Sequence, residues 1–301
     1  KVQTYYKSND NSVRYSTSFE KYKSRDIIVE NMTPRTLLLL GSSELTTTIN
    51  ENYHPKKIFK YDDFNIMQVG VGNSQNIIHA ATIGSIGNDV KNNEIVMIQS
   101  IQWFDNKNGI LKDAFLSRIS SEHVYNTMKN ENISRETKEK FINRVIELSS
   151  TNKELNKKYK SYKRYFLEGK GNKFTGEFIK LDNYFYVLKN KLNFYKNKGK
   201  ENYPVSGEKT PDYNWDELLK NAEADAKERT NNNEFGIENN TFDKNIKNNM
   251  EKRKGKDYFY KYSDSPEYSD FELLLEIAKE LGLDVRVINF PINGKWNDYI
   301  G

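Results

Sequence analysis

Cysteine is missing from this chain of 301 residues. Its absence excludes disulfide bonds, thiolate catalysis and zinc sites built on thiolates. Long apolar runs are missing too, since none approaches the roughly 18 residues that a membrane span requires. The sequence also begins at Lys1, without an initiator methionine or a signal sequence.

Blocks of like charge are absent as well. The 47 Lys and Arg residues and the 42 Asp and Glu residues are interspersed, and the net charge is +5. This pattern disfavours nucleic acid as a partner. A mildly basic surface suits an anionic polymer or an anionic membrane face equally well. Since only 36% of residues are hydrophobic, the rings of 20 Tyr and 16 Phe must supply much of the packing.

The stretch from residue 36 to residue 45 organises the chain. The four leucines Leu37–Leu40 predict a short buried strand. Gly41-Ser42-Ser43 then forms a turn, and Glu44 begins a helix. A serine at such a turn stands above the end of a sheet beside free backbone N–H groups, as a nucleophile requires. The alternative is a serine that only caps the helix.

The same order of strand, turn and helix recurs along the chain. Further strands are predicted at 65–70, 94–99 and 283–290, and a helix at 74–86. This order indicates parallel strands joined by right-handed crossovers, hence a doubly wound α/β sheet. Ligands of such sheets bind beyond the carboxyl ends of the strands. We therefore expect residues 42–43, 70–75 and 100–103 to converge.

Residues 112–256 are predicted to form a large helical insertion within a single domain spanning 1–301. Helices are expected at 112–129, 134–150, 151–169, 176–198 and 213–230, with Ser134 as the N-cap of the second and a loop at 199–213. Beyond the insertion, a further helix is expected at 270–281, closed by Gly282. One of them carries an apolar band at helical spacing: Phe178, Leu181, Phe185, Leu188 and Leu192. We interpret this band as a core face and not as a functional aromatic site.

Few other residues are candidates for chemistry. His79 lies among apolar residues and is interpreted as a core histidine, with a catalytic base as the alternative. His54 is a loop residue that could border a site, and His123 is expected on the surface. Gly70-x-Gly72 lacks the third glycine of a dinucleotide fingerprint. We expect neither a metal nor a cofactor.

Several sequence blocks coincide in one order. They are Gly41-Ser42-Ser43-Glu44-Leu45, Met67-Gln68-Val69-Gly70-Val71-Gly72-Asn73-Ser74-Gln75, Ser100-Ile101-Gln102-Trp103-Phe104, Trp215-Asp216-Glu217-Leu218, Ser265-Pro266-Glu267-Tyr268 and Pro291-Ile292-Asn293-Gly294-Lys295-Trp296. Each block is modest alone. Together, over nearly the whole chain, they resemble the DltD family of D-alanyl-lipoteichoic acid biosynthesis proteins.

The resemblance implies an SGNH-hydrolase-like fold, a three-layer α/β/α sandwich with a mostly parallel sheet. It implies a location on the extracytoplasmic face of the cell membrane, through an N-terminal anchor that this sequence does not include. The implied activity is the transfer of D-alanine onto lipoteichoic or teichoic acids. The implied partners are the teichoic acid polymer and other proteins of the D-alanylation machinery at the membrane.

The resemblance also assigns roles to residues. Ser43 matches the nucleophile, and Ser42 takes the aspartate position of the Gly-Asp-Ser block. Gly70 or Gly72 matches the block that donates an oxyanion-hole N–H. Gln102 falls where an asparagine-bearing block contributes a side-chain donor, a role that an amide can fill.

The rim of the site is expected to include Ser42, Trp103, Asn293 and Trp296. For the two tryptophans, simple packing beneath the loops is an equal alternative.

The chain departs from the family pattern near its end. The family's catalytic Asp and His lie in an Asp-x-x-His block beyond the Asn293–Trp296 segment, and this sequence stops at Gly301. None of its three histidines matches that block. Without a base, Ser43 keeps a weakly nucleophilic hydroxyl. We therefore expect little acyl-transfer activity from residues 1–301.

Two other functions stay open at this point. One is a non-catalytic module that binds teichoic acid or a machinery protein through Lys295 and the basic surface. The other is a D-alanyl carrier protein thioesterase, which would use Ser43 with water as the acceptor. The sequence does not separate these acceptors.

Overall fold

A four-stranded parallel sheet lies at the centre of the described part of the protein. The computed structural model describes residues 11–46, 51–197, 209–257 and 264–300. Within these ranges the strands are β1 Thr36–Leu40, β2 Asn65–Val69, β3 Glu94–Ser100 and β4 Asp284–Phe290, in the order β2-β1-β3-β4. All three pairings are parallel. The predicted α/β class and parallel sheet are confirmed.

Helices connect and cover the strands. In chain order they are α1 Asn11–Tyr15, α2 Phe19–Tyr22, α3 Arg25–Glu30, α4 Pro55–Ile58, α5 Asn76–Ile86, α6 Lys112–Arg118, α7 Ser121–Lys129, α8 Arg135–Leu148, α9 Lys153–Phe166, α10 Lys173–Asn197, α11 Trp215–Arg229, α12 Asn239–Thr241, α13 Met250–Arg253, α14 Glu267–Glu280 and α15 Gly294–Ile300. Short 3-10 turns occur at Ser43–Leu45, Glu51–Tyr53, Gly87–Asp89, Ile101–Phe104 and Lys247–Asn249, and a π turn at Phe242–Ile246.

The leucines of β1 divide between two cores because successive side chains of a strand point to opposite faces. Leu38 and Leu40 are fully buried in the larger core, which includes α5 and α14. Leu39 enters a smaller core on the other face, with Tyr15 and Ile66. A strand buried on both faces explains the uninterrupted apolar run. The result is the three-layer arrangement that the family resemblance implies.

Helix α5 is the crossover between β2 and β3, and all eleven of its residues are buried. It contacts α14, α7 and α3 in addition to facing the sheet. Helix α14 ends as the sequence predicts, with Gly282 in the left-handed region at φ +66°. The predicted cap of α8 is also confirmed, since Ser134 Oγ accepts from Thr137 N at 3.2 Å.

One predicted helix is divided in the structure. The expected helix 112–129 is broken into α6 and α7, because Ile119 and Ser120 have extended backbone angles. Ser120 Oγ accepts from His123 N at 3.3 Å, and so caps the start of α7. Part of the expected loop at 199–213 lies outside the described residues.

The interpretation of the apolar band on α10 is wrong. Four of its five residues are exposed, among them Phe178 at 71%, Phe185 at 59% and Leu181 at 53%, whereas Leu188 is half-buried. The buried side of α10 is the opposite one, with Gly176, Ile179, Asn190 and Phe194. Apolar residues occur on both faces of this helix, so helical spacing alone did not identify the inner face.

Across the described ranges, every helix is too short or too polar to cross a bilayer.

Candidate active site

The carboxyl ends of β1, β2 and β3 meet at one edge of the sheet, where a cleft of about 720 Å³ opens. All three strand ends contribute to its lining: Ser42, Ser43, Asn73, Gln75, Ser100 and Gln102. The expected convergence of these segments is confirmed. It follows from the parallel register, in which Leu40 lies beside both Val69 and Met97.

The two serines after β1 have different surroundings. Ser43 begins a 3-10 turn and is exposed, and within the described residues its hydroxyl makes no hydrogen bond. Ser42 is only 4% exposed, and its hydroxyl donates to Val71 O at 3.4 Å. The backbone N–H of Ser42 donates to the carboxylate of Glu44. Ser43 is therefore the serine whose hydroxyl is available to a ligand.

Gly70 allows the ends of β1 and β2 to approach each other. Its φ is +154°, and a Cβ at this position would lie 1.9 Å from the carbonyl oxygen of Gly41. Only glycine fits such a contact. Gly41 N donates to Val69 O at 3.2 Å across the same gap. Gly70 thus sets the position of the turn that carries Ser43.

Gly72 lies directly beside Ser43. A Cβ on Gly72 would be 3.7 Å from Ser43 Cβ. Its carbonyl accepts from Arg118 Nε at 2.5 Å, which fixes the turn from the side of α6. Val71 O accepts from Ser74 N at 2.9 Å. Of the two glycines predicted as oxyanion donors, Gly72 is the one that lies beside the Ser43 side chain.

Gln102 and Trp103 follow β3 in a 3-10 turn, and both line the cleft. Gln102 is exposed, so its amide is free to approach a ligand. Trp103 is 6% exposed, and its ring centroid lies 6.1 Å from that of His79. Trp103 therefore both borders the cleft and packs beneath the loop.

The three histidines are all buried. Burial lowers the pKa of His79 to about 4, against the opposing effect of the carbonyl oxygens of Ser74 and Gly41. Its interpretation as a core histidine is confirmed. The surface position expected for His123 is wrong, since this residue is 2% exposed and contacts Tyr22 O at 3.0 Å.

His54 lines the cleft together with Ser43. Its Nδ1 accepts from Lys56 N at 3.1 Å, which caps α4. The expectation that this loop residue could border a site agrees with its place in the lining of the cleft. None of the three histidines forms a hydrogen bond with Ser43 within the described ranges.

A buried polar network beneath the cleft was missed by sequence reasoning. Gln99 Nε2 donates to Asn76 Oδ1 at 3.1 Å, and Asn76 Nδ2 donates to Glu267 Oε2 at 3.0 Å. Ile110 N donates to the other carboxylate oxygen at 3.0 Å. Glu267 is fully buried, and desolvation raises its pKa to about 7. The network joins the end of β3 to the start of α5.

A signal for this network was present in the sequence. Asn76 opens a helix that is otherwise mostly apolar, and Gln99 stands at the end of an apolar strand. Both are polar residues at positions where core residues are expected, which indicates a buried partner. The partner, Glu267, is distant in sequence and was not identifiable.

Asn293 and Trp296 do not belong to the lining of the cleft. Asn293 Nδ2 donates to Phe235 O at 2.7 Å. The Trp296 ring packs against Phe235 and Tyr299, with centroids 5.3 and 5.7 Å apart. From this part of the chain, Phe290 reaches the cleft. The expected rim role of Asn293 and Trp296 stays a prediction.

No cluster of three or more His, Asp or Glu side chains suited to a metal occurs in the part of the chain that the structure describes.

Comparison with known proteins identifies the family. The family model described as "DltD protein" matches residues 14–301. Protein DltD of Bacillus subtilis (strain 168) is 31% identical over 275 residues, which cover 89% of this chain and 68% of that protein. Protein DltD of Staphylococcus aureus (strain NCTC 8325 / PS 47) is 29% identical over 276 residues, covering 87% and 65%.

Protein DltD of Lacticaseibacillus rhamnosus is 25% identical over 300 residues, covering 95% of this chain and 68% of the relative. The matched region therefore spans about two thirds of the length of these relatives. The family match extends over nearly all of the sequence and includes every strand of the sheet. This chain belongs to the DltD family.

Proposed function

We propose that Ser43 is the nucleophile of an acyl transfer that carries D-alanine to teichoic acids at the outer face of the cell membrane. One observation carries the chemical part of this proposal. Ser43 is exposed in a cleft of about 720 Å³, at the end of a buried parallel strand. The identities of the transferred D-alanyl group and of its acceptor are inferred from the family resemblance.

The proposed reaction has two steps. Ser43 Oγ attacks the carbonyl carbon of an activated D-alanyl ester or thioester, and the bond to the donor's alcohol or thiol breaks. The proton of Ser43 leaves with the departing group. A teichoic acid hydroxyl then attacks the D-alanyl-serine ester, releases Ser43 and returns a proton to it.

The negative charge that develops on the carbonyl oxygen needs donors near Ser43. We assign this role to the backbone N–H groups of Ser43 and Gly72, since Gly72 lies beside the Ser43 side chain and a Cβ at this glycine would be 3.7 Å from Ser43 Cβ. The exposed amide of Gln102 is the side-chain donor in this proposal. Gly70 has a structural role instead, since it packs on the Gly41 carbonyl.

A general base is also needed. His79 and His123 are buried away from solvent, and His54 Nδ1 accepts from Lys56 N. The base in this proposal is therefore the histidine of the family's Asp-x-x-His block. Formation of the serine ester with a reactive thioester is a less demanding test than turnover.

The test uses the purified chain and a D-alanyl thioester of a small thiol, with peptide mapping by mass spectrometry. A D-alanyl ester on Ser43 is expected, and it should be absent in Ser43→Ala. Ser42→Ala is the matched control, because Ser42 is the adjacent serine but its hydroxyl is buried. Modification that persists in Ser43→Ala, or that lies on another residue, would contradict the proposal.

The binding-module alternative gains no support from the site. It assigned a role to Lys295, whose Nζ donates to Glu234 O at 3.4 Å outside the lining of the cleft. The thioesterase alternative uses the same serine and differs only in water as the acceptor. Release of free D-alanine in place of transfer to added lipoteichoic acid would favour it.

A further inference from the structure

The outward face of α10 carries a continuous row of apolar side chains. We call Phe174, Phe178, Leu181, Phe185 and Leu192 the α10 stripe; they are 84%, 71%, 53%, 59% and 46% exposed. Their spacing keeps them within about a quarter of the helix circumference, over a length of about 27 Å. Isolated exposed apolar residues are ordinary, but a contiguous patch of this kind indicates an interaction surface.

The stripe is not needed to hold α10 in place. The opposite side of the helix buries Ile179 in the main core and Phe194 in a separate cluster with Val13 and Ile27. Through that side α10 contacts α2, α7 and α9. The helix is therefore already attached to the domain, and its outer face is left for another contact.

Lysines accompany the stripe on both sides. Lys173 and Lys180 lie along one flank, and Lys189 and Lys196 along the other. All four are exposed, and the two acidic residues beside the stripe are paired: Glu177 with Lys180 at 2.9 Å and Asp182 with Lys158 at 2.6 Å. The outer face of α10 thus combines phenyl and leucyl side chains with a surplus of positive charge.

Apolar side chains flanked by positive charge favour one kind of binding partner for the outer face of α10. A second copy of the same face would bring lysines against lysines, and like charges in contact oppose association. A surface of anionic lipid headgroups has the complementary charge, and its acyl region accepts the Phe and Leu side chains. Long lysine side chains also extend readily to headgroups beside a buried apolar face.

We propose that the α10 stripe lies in the interface of an anionic lipid membrane, parallel to its plane. This contact is independent of Ser43 and of the reaction proposed above. It would hold the domain at the membrane surface through the outer face of α10, separately from any membrane-spanning segment.

Flotation with lipid vesicles tests the proposal, with the purified chain and two compositions: pure phosphatidylcholine, and an equal mixture of phosphatidylcholine and phosphatidylglycerol. The chain is expected to bind the anionic vesicles at least about tenfold more tightly than the neutral ones. Phe178→Ser combined with Phe185→Ser should weaken binding about tenfold or more, because two aromatic side chains no longer insert. Lys189→Glu combined with Lys196→Glu should weaken it and reduce its dependence on salt.

Leu219→Ser is the matched control, since Leu219 is 60% exposed on α11 and lies off the stripe. It should leave binding unchanged. Equal vesicle binding by the Phe178/Phe185 variant and the original chain would overturn the proposal. So would a dimer in solution that this variant dissociates, because the occupant would then be a second copy. A clear loss of thermal stability in the variant would overturn it too, because the stripe would then be packed within the protein.

Discussion

Helices α5 and α10 differ in the burial of their apolar side chains. All eleven residues of α5 are buried, including the polar Asn76 and His79. Helix α10 has 25 residues and buries only four of them, while its most apolar stripe faces solvent. The difference is one of position: α5 is the crossover that must cover the sheet, whereas α10 belongs to the helical region between β3 and β4.

The comparison shows what an apolar pattern does and does not specify. Around α5 the pattern is apolar on all sides, so every orientation leads to burial. On α10 it is apolar on two opposite sides, so the sequence does not determine which side meets the core. Three stability measurements, with successively smaller expected effects, test whether α5 and α10 differ in this way.

The largest effect is expected for Ile77→Ala in α5. Ile77 is fully buried in the main core. Its truncation should lower the free energy of unfolding by about 2 to 5 kcal/mol, through lost burial and the cavity left behind. Chemical denaturation of the variant and the original chain measures this directly. A loss below about 1 kcal/mol would mean that α5 is not the central packed helix.

The second effect is a pH dependence of the free energy of unfolding. It arises at the start of α5, where the carboxylate of Glu267 accepts a hydrogen bond from Asn76. Burial raises the pKa of Glu267 from 4.5 to about 7 in the folded protein. The folded state thus holds this proton more tightly than the unfolded state does. The contribution of the protonated Glu267 carboxyl to the stability of the folded state is therefore complete below pH 4.5, and it is lost as pH rises through about 7. The loss is on the order of 3 kcal/mol.

Glu267→Gln should remove this contribution. Denaturation at a series of pH values between 4.5 and 8 should give a flatter stability profile for the variant than for the original chain. Glu272→Gln is the control, because Glu272 is exposed on the same helix. If Glu267→Gln kept the original slope while total stability fell, the buried carboxyl would not be the titrating group.

Much of the fold was predictable because local signals agreed with it. The leucine run of β1, the glycine ends of the turns and the cap of α8 each predicted an element that the structure contains. The chain order of these elements then predicted a parallel sheet with a site at the carboxyl ends. Ser43 and Gln102 in the cleft follow from that order alone.

What could not be predicted depends on contacts between distant residues. Glu267 meets Asn76 across 191 positions, and no local pattern encodes that pairing. The contacts of Asn293 and Trp296 with Phe235 likewise join positions about 60 residues apart, and the rim role expected for these two residues stays a prediction.

The smallest effect is expected for Leu181→Ala in the α10 stripe. Leu181 is 53% exposed, so truncation removes little buried area, and alanine and leucine have similar helix propensities. The free energy of unfolding should change by less than about 0.5 kcal/mol. The denaturation experiment used for Ile77→Ala measures both variants on one scale. A loss near that of Ile77→Ala would mean that the stripe is covered in solution, and the contrast between α5 and α10 would then disappear. An unchanged stability would instead mean that the stripe is available to a partner. The free-energy cost of truncating a leucine depends on the atoms that surround it, and not on the apolar pattern to which it belongs.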